Sequence, residues 1–184
     1  MAGQRRLWTV STDELSADRF KEINALCEAA FDEPFAPHWE RVGPGLHVCA
    51  DVDGQIVSHA MVVDRQIYFG HEADTALDVG YVEHVATLPQ HQGRGHGTAT
   101  MRAIEQIIRD EYTLGALGTG SNAFYERLGW ETWTGLTSVR TPDGERVRTP
   151  DEDGHVMVLR TPRSPLDLDL GEPIAIDWRA GESW

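Results

Sequence analysis

The sequence predicts an α/β fold, and three observations carry that expectation. A β-branched and aromatic run from Tyr81 to Leu88, closed by Pro89, leads through the glycine-rich Gln92-Gly93-Arg94-Gly95-His96-Gly97 into a helical pattern. That pattern, Thr98 to Arg109, places Met101, Ile104, Ile107 and Ile108 at helical spacing. Asp53-Gly54 separates two β-branched runs, the signature of a tight hairpin. The elements then follow as strand, helix, hairpin, strand, helix, with no internal repeat and no low-complexity tract.

Taken in order, Arg5 to Val10 reads as a first strand, and Ser11 or Thr12 as the cap of a following helix. Leu15, Phe20, Ile23, Leu26, Cys27, Ala30 and Phe31 give that helix its apolar face. Pro34, Pro37 and Pro44 break the pattern between Phe31 and Gly45, which reads as a connecting loop carrying Asp32, Glu33, Phe35 and Trp39. As a bare loop it has no function, whereas as a wall of acidic and aromatic groups it suits an amine-bearing ligand. Residues 46–52 and 55–64 form the hairpin, with Gln66 to Phe69 as an extension and Gly70 to Ala73 as a polar turn. Thr75 to Leu88 is the strand that enters the glycine turn, and Thr113 to Leu117 is a short apolar strand after the helix. Ser121 suits the N-cap of a short helix over Asn122 to Leu128, and Gly129 suits its C-terminal stop. Trp130 to Trp133, Ser138 to Thr141 and His155 to Leu159 read as further short strands, with Pro142-Asp143-Gly144 as a turn. The tail, rich in Trp178 and Trp184, is expected to dock, because exposed indoles forgo the burial open to them.

At 184 residues the chain suits one domain with a substantial core. No apolar run reaches the length of a membrane span, and Met1 to Ser11 lacks a signal-peptide core. Cys27 and Cys49 are too few for a disulfide framework or a zinc site, so a reduced, cytoplasmic protein without a metal is expected. The net charge of −14 argues against nucleic acid as partner, since phosphate binding needs clustered Lys and Arg. It is compatible with a cationic substrate, although acidic surfaces also serve solubility alone.

The glycine turn sits where backbone amides at a helix N-terminus favour a phosphate. A dinucleotide turn needs a third glycine at a different spacing, and a nucleotide P-loop needs a Gly-Lys-Ser/Thr ending; both are missing. A plain surface loop would account for the three glycines but not for their place between strand and helix. The pattern Gln-x-x-Gly-x-Gly after a strand resembles the pyrophosphate loop of the GCN5-related N-acetyltransferases (GNAT). Ser121-Asn122-Ala123-Phe124-Tyr125-Glu126-Arg127-Leu128-Gly129-Trp130 resembles the second signature of that family. The resemblance implies a mixed, largely antiparallel sheet flanked by helices.

Further blocks are similar to the aminoglycoside 2′-N-acetyltransferases of mycobacteria and related actinobacteria. They are 80–86, 114–117, Thr149-Pro150-Asp151-Glu152-Asp153-Gly154 and the ending Asp177-Trp178-Arg179-Ala180-Gly181 through Trp184. This implies acetyl transfer from acetyl-CoA to the 2′-amine of an aminoglycoside, conferring resistance, by an enzyme that forms a homodimer. Such chemistry needs a neutral amine, a polarised thioester, a stabilised oxyanion and a proton for the leaving thiolate.

Glu83 lies mid-strand among apolar neighbours, where a carboxylate is costly without a task or a partner. Its expected task is to take the ammonium proton, and alternation with Tyr81 and Val85 argues against a merely exposed position. By the resemblance, the Val85 backbone amide holds the thioester carbonyl and Tyr125 is the general acid. Tyr125 also fits a packed core tyrosine with its hydroxyl satisfied. By the same resemblance Gln92, Gly93, Arg94, Gly95, His96, Gly97 and Thr98 cradle the pyrophosphate, with Val85, Thr87 and Asn122 along the rest of the CoA.

A polycation calls for several carboxylates around one cavity. The candidates are Glu83, Glu152, Asp153, Glu182, Glu33 or Asp32 and the carboxylate of Trp184, with Trp178 and Trp184 as packing residues or sugar platforms. The chain departs from the family in four places. His84 stands where glycine is usual, and so is itself a possible base and pocket residue. Gly118 replaces a small hydroxyl residue expected to touch the antibiotic, Glu152 an aspartate, and Pro34 an acidic residue. Two other functions stay open: transfer to another cationic amine (a polyamine, an amino sugar or a mycothiol-type precursor), and binding of drug or acyl-CoA without turnover. The presence of both Glu83 and Tyr125 weighs against the last.

Overall fold

The computed structural model describes residues 4–70, 75–181 and 183–184. The chain forms two compact units, one from the described residues up to Val63 together with Val82–Gln106, the other from Asp64–Tyr81 and Ile107–Trp184.

In the first unit, β1 (Arg5–Ser11) pairs antiparallel with β2 (Leu46–Val52), and β2 pairs antiparallel with β3 (Gln55–Phe69) across the expected hairpin. Asp53 takes a positive φ of 52° in that turn, as the Asp-Gly signal requires. The first helix, α1 (Ala17–Phe31), begins later than the sequence suggested. Thr12–Glu14 forms a short 3-10 turn, and Ser16, not Ser11 or Thr12, caps α1 by accepting the Arg19 N–H. The Thr12 hydroxyl is engaged elsewhere, beside the Gly45 carbonyl and the His47 ring. Ile23, Leu26 and Cys27 are buried on one face of α1 against Cys49, Ala50, Ile56 and Val57. Full burial of each large aliphatic side chain stabilises the fold by roughly 1.5–3 kcal/mol.

The segment expected as a loop contains a second helix, α2 (Ala36–Val42). Pro37 sits in its first turn, where the missing N–H has no intrahelical partner to lose. The strand β4 (Thr75–Thr87) is followed by a 3-10 turn at Pro89–His91 and by α3 (His96–Glu111). Met101, Ile104 and Ile108 of α3 are fully buried. Both β3 and β4, like α3, contribute residues to each unit. The expected turn at Gly70 to Ala73 lies largely outside the described residues.

In the second unit, Val79, Gly80 and Tyr81 of β4 pair in parallel with β5 (Leu114–Gly118), and β5 pairs antiparallel with β9 (Val156–Arg160). The short β6 (Glu131–Thr132) lies outside β9. On the other side, β10 (Ile174–Asp177) is antiparallel to β3 and parallel to β7 (Thr137–Arg140), which pairs with β8 (Arg146–Arg148). The order β6-β9-β5-β4-β3-β10-β7-β8 is therefore a mixed, largely antiparallel sheet. The sequence did not announce β10, yet Ile174, Ala175 and Ile176 are wholly buried in it. The short helix α4 (Asn122–Glu126) forms without a side-chain cap from Ser121, whose backbone N–H instead donates to Thr119 Oγ1. Gly129 takes a positive φ of 96° after it. Among the described residues, no helix is long and apolar enough to cross a membrane.

Candidate active site

In the first unit the candidate residues gather along the end of β4, the glycine turn and the start of α3. Gly93 and Gly95 have φ of 71° and 76°, in the left-handed region that favours glycine, and a side chain on either would project into open space. Gly95 accepts the Ala99 N–H, the first bond of α3, which leaves the amides of His96, Gly97 and Thr98 without intrahelical acceptors. The helix therefore starts inside the glycine motif, two residues before Thr98. Gln92 donates to the Thr87 carbonyl and so ties the turn to the strand that feeds it.

Arg5 of β1, which no pattern in the sequence singled out, donates to the Gly95 carbonyl at 3.1 Å. Burial, then the charges of Arg5, His91 and Arg94, pull the His96 pKa down. His91 and His96 each keep a buried Nδ1 without a hydrogen-bond partner. Open glycines, unengaged helix amides and clustered cationic groups fit a diphosphate, the part of CoA that this turn would hold.

Upstream, Glu83, His84 and Val85 are three successive half-exposed residues. The simple alternation expected from Tyr81 to Val85 does not hold, because His84 has φ 53° and interrupts the two-residue period. This explains why glycine is the residue expected there: the left-handed region disfavours an L side chain. The His84 ring packs edge-on against Trp39 and Phe35, at centroid distances of 4.4 and 4.7 Å. His38 stacks on Phe35 and pairs with Glu33 at 3.5 Å. The proline-rich segment thus packs against β4 through its aromatic side chains, and Trp39 Nε1 is anchored on Asn24 Oδ1.

Two further histidines lie beneath. His59 Nδ1 is 2.9 Å from the His84 carbonyl oxygen, and His47 Nδ1 is 2.9 Å from His59 Nε2. Both rings are buried, which lowers the His47 pKa to about 4 and the His59 pKa well below its ordinary value.

In the second unit Tyr125 is buried on α4 beside Phe124 and Trp130. Burial raises its pKa to about 12, against a smaller opposing effect of its hydrogen bond with Thr119. Such a phenol stays protonated and is suited to giving a proton. Asn122 donates to Gly154 and Thr132, which fixes the start of α4. Gly118, at the end of β5, lies against the chain end: a Cβ there would meet the Trp184 backbone carbon and the Tyr81 hydroxyl, each at 3.3 Å. Trp184 is buried and its indole donates to Thr149 Oγ1. Trp178 is exposed.

The acidic turn divides into separate tasks. Asp153 accepts from Thr137 N, Thr137 Oγ1 and Arg148, with the closest Arg148 contact at 2.6 Å. The Arg148 bonds, foremost, hold its pKa at about 2. Its carboxylate is thus committed to closing the turn onto β7. Glu152 is half-exposed in the 3-10 turn Pro150–Glu152, and Glu182 lies outside the described residues. Among the described residues, no group of three or more His, Cys, Asp or Glu is placed to hold a metal ion.

A mixed sheet with a glycine turn leading into a helix, next to an interrupted fourth strand, defines an acyl-CoA-type N-acyltransferase fold. The family model of the acetyltransferase (GNAT) domain matches residues 11–133, and the chain belongs to the GNAT acetyltransferases. It is 36% identical over 179 residues to the aminoglycoside 2′-N-acetyltransferase of Mycolicibacterium fortuitum, covering 95% of this chain and 90% of that protein. Among solved structures, the GNAT protein YhbS of Escherichia coli in complex with CoA superposes with a TM-score of 0.60 at 16% identity, over 96% of this chain and 89% of that one. A GCN5-related N-acetyltransferase from Kribbella flavida gives a TM-score of 0.54 at 19% identity over 72% of this chain. The chain spans only 34% of the length of that larger protein.

Proposed function

We propose that this protein transfers the acetyl group of acetyl-CoA to the 2′-amine of an aminoglycoside antibiotic. The observation that carries the reading is the 36% identity, over nearly the whole of both chains, to the Mycolicibacterium fortuitum aminoglycoside 2′-N-acetyltransferase. The net charge of −14 agrees with a polycationic acceptor.

Acetyl-CoA supplies an activated thioester when bound, and the residues of the chain do the rest. The turn from Gln92 to Thr98, with Arg5 and His96, binds the diphosphate; Thr87 and Asn122 border the remainder of the CoA. The Val85 N–H donates to the thioester carbonyl and stabilises the negative charge that grows there. Glu83 takes the proton of the ammonium group so that the nitrogen can attack. Tyr125, protonated up to about pH 12, gives a proton to the departing sulfur. By the family resemblance the drug-contacting residues are Glu33 and His84 of the first unit and Gly118, Glu152, Trp178 and Trp184 of the second, with Glu182 outside the described residues, while Asp153 acts by shaping its turn. The whole chain then acts as one acetyltransferase domain, cytoplasmic as the cysteine usage suggests and homodimeric as the family resemblance implies.

Incubation with acetyl-CoA and tobramycin, followed by NMR assignment of the product, tests this. Acetylation of the 2′ nitrogen is expected; a product modified only at another position overturns the regiochemistry.

A further inference from the structure

We propose that His59 is a positioning residue for the acetyl transfer: its Nδ1–H binds the His84 carbonyl and thereby aims the Val85 N–H. The inference rests on the reading above, in which Val85 N–H meets the thioester carbonyl.

The His84 carbonyl and the Val85 N–H belong to one planar trans peptide, so they point in opposite directions. A hydrogen bond that fixes the first fixes the direction of the second. That bond is 2.9 Å long, and its donor, on a ring with no exposed surface, has little freedom to turn away.

The tautomers then follow one from another. A carbonyl only accepts, so His59 Nδ1 carries the proton and His59 Nε2 is bare. His47 Nδ1, 2.9 Å away, must donate to it, which leaves His47 Nε2 as an acceptor 3.0 Å from the Thr12 hydroxyl, whose single proton also lies within reach of the Gly45 carbonyl at 3.0 Å. The Gly45 N–H donates to Thr12 Oγ1 at 2.9 Å. Donors therefore run in one sense from His47 through His59 to the His84 carbonyl. Such a run polarises each successive bond. Because it ends on a carbonyl it has no proton to deliver, and its role is orientation.

The neighbouring residue of β3 makes the parallel contact. Ser58 Oγ donates to the Ala86 carbonyl at 3.1 Å and is itself held by Thr100. Adjacent side chains of β3 thus grip the carbonyls on both sides of Val85. The left-handed φ of His84 is sterically unfavourable for a non-glycine residue, so the backbone there needs such a restraint to keep one orientation.

The test compares His59→Asn, whose amide nitrogen replaces Nδ1, with His59→Gln, whose amide lies near Nε2 and misses the His84 carbonyl. His59→Gln should lower kcat by about 10- to 100-fold, with KM for both substrates changed little, as a misaimed donor does. His59→Asn should recover most of the loss, and hydrogen exchange at the Val85 amide should be faster in His59→Gln alone. Equal kcat in the wild type and both folded variants would overturn the inference and leave the acetyltransferase reading standing. A second measurement needs neither variant nor turnover. Imidazole 15N shifts of the wild type should show His59 protonated at Nδ1, and protonation at Nε2 instead would overturn the inference. Lack of acetyl transfer by the wild type would sink the functional reading by itself, with the tautomer and exchange results still deciding whether His59 aims the peptide.

Discussion

The Nδ1 of His59 lies 2.9 Å from the carbonyl oxygen of His84, a residue whose backbone has the left-handed φ of 53°. One contact thus links a buried polar chain in the first unit to the interruption in β4 that separates Glu83 from Val85. It also divides the tasks of His84. Its backbone would be easier to form as glycine, while its ring supplies aromatic contacts to Phe35 and Trp39.

That division predicts an order of stabilities. His84→Ala loses the ring and keeps the strained backbone, whereas His84→Gly loses the ring and relieves the strain. His84→Gly should be the more stable of the two by about 1 kcal/mol, read from urea unfolding. An alanine variant as stable as the glycine variant would mean that the left-handed backbone carries no cost here.

Acid stability should follow His47 and His59. Burial holds both neutral in the folded chain, His47 with a pKa of about 4, while unfolded imidazoles take up protons near pH 6.5. Below pH 6.5 the unfolded chain therefore binds more protons than the folded one. The stabilisation is complete above that pH and is lost as the pH falls towards 4. The slope for each histidine is up to about 1.4 kcal/mol per pH unit. Among the described residues their polar and aromatic partners are Thr12, Trp39, His84 and each other, and no carboxylate is among them to offset the loss. Denaturation at pH 7 and pH 5 should show the lower stability at pH 5, and a His47→Asn variant should show a flatter dependence.

Removal of the two proton-transfer groups should separate chemistry from folding. Glu83→Gln is expected to reduce kcat by about 100- to 10,000-fold and Tyr125→Phe by about 10- to 100-fold, with thermal unfolding near that of the wild type. Because Tyr125 titrates near pH 12, the kcat profile should show no alkaline loss from it below about pH 11. A Tyr125→Phe enzyme with wild-type kcat would return Tyr125 to the role of a packing residue.

Asp153→Ala should act chiefly on stability. It breaks the Arg148 pair and both bonds to Thr137, so a loss of about 1–2 kcal/mol is expected in chemical denaturation. If the variant is instead fully stable and only the drug KM rises, the carboxylate meets the substrate directly.

Much of this was legible in the sequence, for reasons that differ by element. The hairpin at Asp53-Gly54, the strand from Thr75 and the turn around Gly93 and Gly95 are local events with strong chemical signals, and each formed where expected. The α2 helix was hidden because Pro37 reads as a breaker until its place in the first turn is known. Ser16 was passed over for Ser11 and Thr12, since several capping residues stand in a row and only the fold chooses among them. The four residues of β10 are too short a run to announce a strand, and their burial comes from neighbours distant in sequence. Asp153 looked like one of several free carboxylates because Thr137, which helps to hold it, lies 16 residues away. The His47–His59–His84 run was silent for the same reason, its contacts spanning 12 and 25 positions with no motif between them. Arg5 meets Gly95 across 90 residues and left no trace at all.

Thiol release from acetyl-CoA with matched acceptors measures transfer to the 2′-amine most directly. Tobramycin and gentamicin carry a 2′-amine, and kanamycin A carries a hydroxyl at that position. Turnover is expected with the first two and none with kanamycin A. Equal turnover of kanamycin A, or silence with tobramycin and gentamicin, would contradict transfer to the 2′-amine.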